Sequence, residues 1–142
     1  MYVDKLLQFS DAQALTATAV STNVIPLSSD RDIGIGEPMA AVVFITTAAD
    51  YTAGNETYQF TLQTATDAAF TSAVTVVASG VINGDDLPLG KKIVLPIGHA
   101  NLRFLRVNYT LGGTTPTATV DAYLSPLKFI NGEAYYASGY TV

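Results

Sequence analysis

No cysteine and no tryptophan occur in this chain, and His99 is its only histidine. The missing thiols exclude disulfides, thiolate zinc sites and cysteine nucleophiles. A catalytic triad or a zinc site would have to rest on His99 and carboxylates alone. His99 sits in GHAN (98–101), between two strand-like segments, so it reads as a turn histidine near the surface. Charge is scarce too: 13% of residues are charged, where roughly 25% is usual. The net charge is −5 and the only basic pair is Lys91-Lys92. Nucleic-acid binding needs clustered lysine and arginine to displace counterions, so no nucleic acid is expected. Anionic membranes are disfavoured on the same ground. The longest apolar run, MAAVVFI (39–45), is too short to span a bilayer. The opening MYVDKLLQFS has an acid at Asp4 and no long apolar stretch, which does not fit a signal peptide. The expectation is a protein made and used without export.

Polarity comes instead from 18 threonines and 8 serines. A surface of hydroxyls and small apolar groups is poor at keeping a monomer apart from its neighbours. It is easier to understand if a partner covers much of it. The length, 142 residues, fits one domain with a real core.

The dominant pattern is period two, interrupted by turn residues, which marks half-buried strands. In TYQFTLQT (57–64), Tyr58, Phe60 and Leu62 face one way, and Gln59, Thr61 and Gln63 the other. ALTATAVS (14–21), VTVVAS (74–79), KIVLPI (92–97) and TATVDAYL (117–124) continue the series, and AAVVFITT (40–47) is a nearly continuous apolar run rich in branched residues, as a central strand would be. In LRFLRVNYTL (102–111), Leu102 and Phe104 oppose Leu105, Val107 and Tyr109. The separators TAGNE, NGDD, PLGK, GHAN and GGTTP carry the Gly, Asn, Asp and Pro of chain reversals. ATDAAF (65–70) suggests one short helical turn, with Phe70 plugging the core. About eight strands with regular turns read as an all-β sandwich.

A boundary is expected near Ser125-Pro126, with a sandwich domain over 1–124 and an aromatic-rich tail over 125–142. The tail holds three of the eight tyrosines, so it should pack on the domain or on a neighbouring chain. Tyr2, Tyr135, Tyr136 and Tyr140 lie at the two ends of the chain. Tyrosine favours interfaces because it joins a large apolar body to a polar tip. Packing as terminal strands within the fold is the alternative.

Motifs with possible chemistry fail at definable positions. DRDIG (30–34) opens like the calcium loop D-x-D-x-x-G, but Gly34 takes a ligand position, Ile35 the glycine position and Ala41 the closing acid. GIGEPM (34–39) lacks the third glycine of a dinucleotide loop and has no helix to open. Asp85 and Asp86 are adjacent in a turn, so they do not face one cleft. No G-x-S-x-G is present. No enzyme activity, no catalytic residue, no metal and no cofactor are expected. DRDIGIGEPM (30–39) reads as architecture: Gly34 and Gly36 allow a tight path, and Arg31 can pair with a carboxylate such as Glu37.

Taken in order, MYVDKLLQFSDAQALTATAVSTNVI, DRDIGIGEPM, TYQFTLQTATDAAFTSA and LRFLRVNYTLGGTTPTATVDAYL resemble the small jelly-roll capsid cement (decoration) proteins of tailed bacteriophages. The likeness covers residues 1–124. It implies a jelly roll of about eight antiparallel strands in two sheets, followed by an extended C-terminal tail. It implies a structural protein on the outer surface of the virion's icosahedral shell, assembled in the host bacterial cytoplasm, that bridges adjacent major capsid protein subunits. The partners implied are that capsid protein and a second copy of the chain, with a homodimer favoured and a trimer possible. Candidate interface residues are Tyr2, Asp4, Arg31, Asp32, Tyr135, Tyr136 and Tyr140. The alternative is a jelly-roll carbohydrate-binding module of a phage fibre or adhesin, with Tyr51, Asn55 and Asn101 at the sugar.

Overall fold

The computed structural model describes residues 5–27, 39–97 and 102–126. Ten strands run through them: β1 (Gln8–Leu15), β2 (Ala19–Val20), β3 (Ile25–Pro26), β4 (Met39–Thr47), β5 (Thr57–Ala65), β6 (Val74–Ala78), β7 (Ile82–Asn83), β8 (Lys92–Ile97), β9 (Phe104–Gly112) and β10 (Ala118–Pro126). The only helical elements among them are two short 3₁₀ turns, Lys5–Leu7 and Gly84–Asp86. Sheet A has the order β1-β10-β4-β8, and sheet B the order β2-β9-β5-β6, with β3 also on β9 and β7 on β5. Every pairing is antiparallel. The chain wraps between the sheets, so neighbours in each sheet come from distant parts of the sequence. With the broken pair β2/β3 counted as one strand and β7 as an extension of the β6 side, this is the eight-stranded, double Greek-key jelly roll.

The period-two segments become strands for the expected reason. Tyr58, Phe60 and Leu62 of β5 meet Leu105, Val107 and Tyr109 of β9 in the core, together with Ala41, Val43 and Ile45 of β4 and Val120, Ala122 and Leu124 of β10. The Phe60 and Tyr109 rings pack edge to face, 6.0 Å apart at 80°. Observed β8 spans Lys92–Ile97, and β10 continues through Ser125 to Pro126.

Two expectations are corrected. Residues 14–21 are not one strand. Ala14 and Leu15 end β1, which begins at Gln8, and the chain bends before Ala19. Thr18 drives the bend: its Oγ1 accepts the Leu111 N–H at 3.0 Å and reaches the Leu111 carbonyl at 3.3 Å. β1 hides its alternation because its register on β10 shifts twice, and Ala12 adopts φ 47°. The Ala12 N–H donates to Asp121 Oδ1 at 2.6 Å. Residues 65–70 hold a single turn, closed by the Phe70 N–H on the Asp67 carbonyl at 3.1 Å, but Phe70 is not placed as expected. Phe70 is buried, but it stands outside the core cluster. Its ring lies 4.2 Å from the Arg106 guanidinium, and Arg106 Nε donates to Gln63 Oε1 at 2.8 Å. Phe70 therefore closes the outer side of sheet B.

Candidate functional site

Strand register decides which ends of the sandwich meet. Gln8 of β1 lies opposite Tyr123 near the end of β10. Pro126 lies opposite Met39, and Met39 opposite Ile97. In sheet B, Pro26 and Ala65 both pair with Phe104, and the Leu27 N–H donates to the Arg103 carbonyl at 2.8 Å. All points where the chain passes to or from residues 1–4, 28–38, 98–101 and 127–142 thus lie at one end, here called the lower end. The connections β1–β2, β4–β5, β7–β8 and β9–β10 lie at the upper end. The candidate interface residues Tyr2, Asp4, Arg31, Asp32, Tyr135, Tyr136 and Tyr140 all lie outside the described residues, as does His99. The fold brings their attachment points together, although they span the sequence from position 2 to position 140.

A shallow groove of about 450 Å³ opens at the same end, lined by Leu6, Gln8, Thr22, Asn23, Val24 and Pro26. None of these side chains is charged. Leu6 is 81% exposed. The wall is held by Asn23, whose N–H donates to the Phe9 carbonyl at 2.9 Å and whose Nδ2 donates to the Gln8 carbonyl at 3.3 Å. Gln13 braces the next turn: its Oε1 accepts the Thr22 N–H at 3.0 Å, and its Nε2 donates to the Val20 carbonyl at 2.9 Å. An uncharged groove with an exposed leucine suits contact with another protein surface.

The upper end holds a polar latch that sequence reading missed. Glu56, read there as part of a turn, is fully buried. Its carboxylate accepts the N–H groups of Ala53 and Asn55, both at 3.3 Å, and faces Thr115 Oγ1 at 3.5 Å. Tyr58 Oη lies 2.9 Å from the Asp50 carbonyl and 3.1 Å from that of Thr117, and it accepts the Thr117 N–H at 3.1 Å. Burial pushes the Tyr58 phenol above its ordinary pKa, and the carboxylates of Asp50 and Glu56 add to the rise. Together these bonds tie the β4–β5 loop to itself, to the start of β5 and to the β9–β10 connection. A buried glutamate beside a strand leaves no periodic trace, so the sequence carried no signal for it.

The remaining candidates fall apart in space. Asp85 and Asp86 are exposed on the Gly84–Asp86 turn. Among the described residues no three His, Asp or Glu side chains converge. Both ends of the Asn55 amide are engaged by Thr114: Nδ2 donates to Oγ1 at 3.0 Å, and Oδ1 accepts the N–H at 3.2 Å. Tyr51 is half-buried in the same loop, and Asn101 lies outside the described residues.

A family model described as Bbp16 matches residues 9–124. The match runs from the second residue of β1 to Leu124 in β10, and so touches every strand of the jelly roll. No curated protein matches the chain.

Proposed function

The chain belongs to the Bbp16 family, and from that premise we propose that it is a structural cement protein of a tailed-phage capsid. In this reading it binds the outer surface of the icosahedral shell and bridges adjacent major capsid protein subunits. The observation that carries the proposal is the lower end. Four segments of the chain attach there, beside an uncharged groove with an exposed leucine, in a charge-poor jelly roll. One small domain can then offer several loops to two neighbouring subunits at once.

A protein that binds only the assembled arrangement of a shell stabilises it by mass action. Bridging adds effective concentration, because the second contact forms within an already tethered complex. Repetition by symmetry multiplies modest single-site affinities over the shell. The proposed shell contacts are Tyr2, Asp4, Arg31, Asp32, Tyr135, Tyr136 and Tyr140, together with Leu6. A homodimer would double the contacts per binding event.

The test is direct. Purified protein is added to cement-free expanded shells, which are then imaged. Regular density at symmetry-related outer positions is expected, and Leu6→Asp should weaken it while leaving the fold intact. Shells that stay bare at saturating protein would overturn the proposal. Retention of the protein on a glycan array would then favour the carbohydrate-binding alternative.

A further inference from the structure

The segment NGDD (83–86) hides one buried residue among three exposed ones. β7 ends on Asn83, opposite Thr57 of β5. Gly84 is buried, whereas Asn83, Asp85 and Asp86 are exposed. The Gly84 N–H donates to the Glu56 carbonyl at 3.1 Å, and the Gly84 carbonyl accepts the Leu87 N–H at 3.1 Å. Leu87 is 0% exposed in the core, and its carbonyl accepts the Ala49 N–H at 3.1 Å. No room is left on the Gly84 Cα. A Cβ there would run into the Asp50 carbonyl oxygen and stand 3.1 Å from Tyr51 Cβ. Gly84 is thus wedged between the two ends of the β4–β5 loop, against the latch that buries Glu56.

Asn83 is placed differently from the other described asparagines. Asn23, Asn55 and Asn108 each hold their side-chain amides in hydrogen bonds. Asn83 is exposed, and its side chain caps no N–H of the turn that follows. Of the four, it alone precedes a glycine. Asparagine is thermolabile because the next backbone nitrogen can attack its side chain, and glycine, without a Cβ, obstructs that attack least. In the reaction the Gly84 nitrogen gives its proton to solvent hydroxide and bonds to Asn83 Cγ. The Cγ–Nδ2 bond breaks, and Nδ2 leaves as ammonia with a proton taken from water. Water then opens the five-membered succinimide. Attack at Cγ gives aspartate. Attack at the Asn83 main-chain carbonyl carbon gives isoaspartate, whose backbone runs through Cβ and Cγ and is one atom longer.

The fold withholds both things the reaction needs. The attacking nitrogen keeps its proton in the bond to Glu56. Ring closure also requires that nitrogen to swing round the Asn83 Cα–C bond until it lies beside Cβ, and the extended ψ of 149° holds it away. We propose that Asn83 is a site of spontaneous deamidation, gated by release of Gly84 from Glu56, and that its isoaspartyl product cannot close the latch again. An extra backbone atom ahead of Gly84 has no space beside Asp50. Either the bond to Glu56 or the Leu87 bond to the Gly84 carbonyl is then lost. An opening that ends in isoaspartate is therefore permanent, and it adds a carboxylate beside Asp85 and Asp86. This inference stands apart from the capsid proposal.

The test compares the folded chain with the same chain unfolded in urea, at one pH and temperature. Peptide mapping measures isoaspartate at Asn83, and amide hydrogen exchange measures opening at Gly84, because both reactions take the proton from the same nitrogen. Deamidation at Asn83 should be slower in the folded chain on the order of tenfold or more. Gly113→Ala, which crowds the latch, should raise both rates together. If it fails to fold, Asn55→Ala, which removes only the side-chain contacts to Thr114, loosens the same loops more gently. Equal deamidation rates in the folded and unfolded chains overturn the proposal. So does faster exchange at Gly84 in a folded variant without faster deamidation at Asn83, and so does the absence of isoaspartate at Asn83 from the unfolded chain. Asn83→Asp should keep the parent's urea midpoint, since that side chain caps nothing, whereas the isolated isoaspartyl protein should unfold at lower urea. Equal midpoints for the parent and the isoaspartyl protein would show the latch closing over the product and overturn the claim of permanence.

Discussion

Tyr109 carries a phenol to a point where the core excludes water. It is 0% exposed, and its hydroxyl lies 2.7 Å from Ser10 Oγ, which in turn donates to Gln13 Oε1 at 2.6 Å. Burial raises its pKa well above the ordinary value of 10.0, and the Ser10 bond offsets only part of that rise. Tyr58 and Tyr123 are shifted upward for the same principal reason. The sign follows by linkage. Near pH 7 these phenols are protonated in both states and make stability no function of pH. Above about pH 10 the unfolded chain releases protons that the folded chain keeps, so stability falls as pH rises through that window. Alkaline unfolding followed by circular dichroism should therefore begin above pH 10. Tyr109→Phe should cost about 1 kcal/mol near neutrality, for a lost buried hydrogen bond, yet show a shallower loss of stability in alkali. Equal alkaline slopes in the two proteins would contradict this account.

At the scale of elements, strands with strict alternation were legible and irregular ones were not. β5, β8, β9 and β10 match their alternating segments, and β4 its apolar run, within one or two residues. β1 was missed because its bulges break the alternation, and Phe70 was misplaced because its partner, Arg106, is distant in sequence. The β9–β10 turn shows how tightly the upper end is drawn. Gly113 has φ +99°, and a Cβ there would stand 2.6 Å from the Asn55 carbonyl oxygen and 2.7 Å from Glu56 Cα. Gly113→Ala must strain the backbone and push the β4–β5 loop off the buried Glu56 carboxylate. A loss of about 2 kcal/mol or more is expected in urea denaturation. A variant as stable as the parent would show that the latch yields freely.

For the molecule as a whole, the sparse charge sets an expectation for binding. Of the proposed shell contacts Asp4, Arg31 and Asp32 are charged, but the groove beside Leu6 is not, and a contact dominated by that groove has few ions to screen. If the protein decorates shells, occupancy should change little between roughly 50 mM and 500 mM salt, in contrast to the steep dependence of a charge-driven contact. Sedimentation of decorated shells across that range measures it. A steep fall would shift the weight of the interface to Asp4, Arg31 and Asp32. The gathering of their attachment points at the lower end was invisible beforehand, because it depends on the pairing of β1, β3, β4, β8, β9 and β10.

By itself, the sequence determined that the protein is an all-β domain without thiol chemistry and with little charge. It also determined which side chains of β5 and β9 share a face, because a two-residue repeat is local and needs no knowledge of neighbours. Only the tertiary structure decided which strands lie side by side, that Glu56 is buried, and which ends of the strands meet. Alternation tells which residues point together, not what stands opposite them. Val42 and Val43 are neighbours in one apolar run, and long-range packing put Val43 in the core between the sheets and Val42 with Ala40 and Tyr123 on the other face of sheet A.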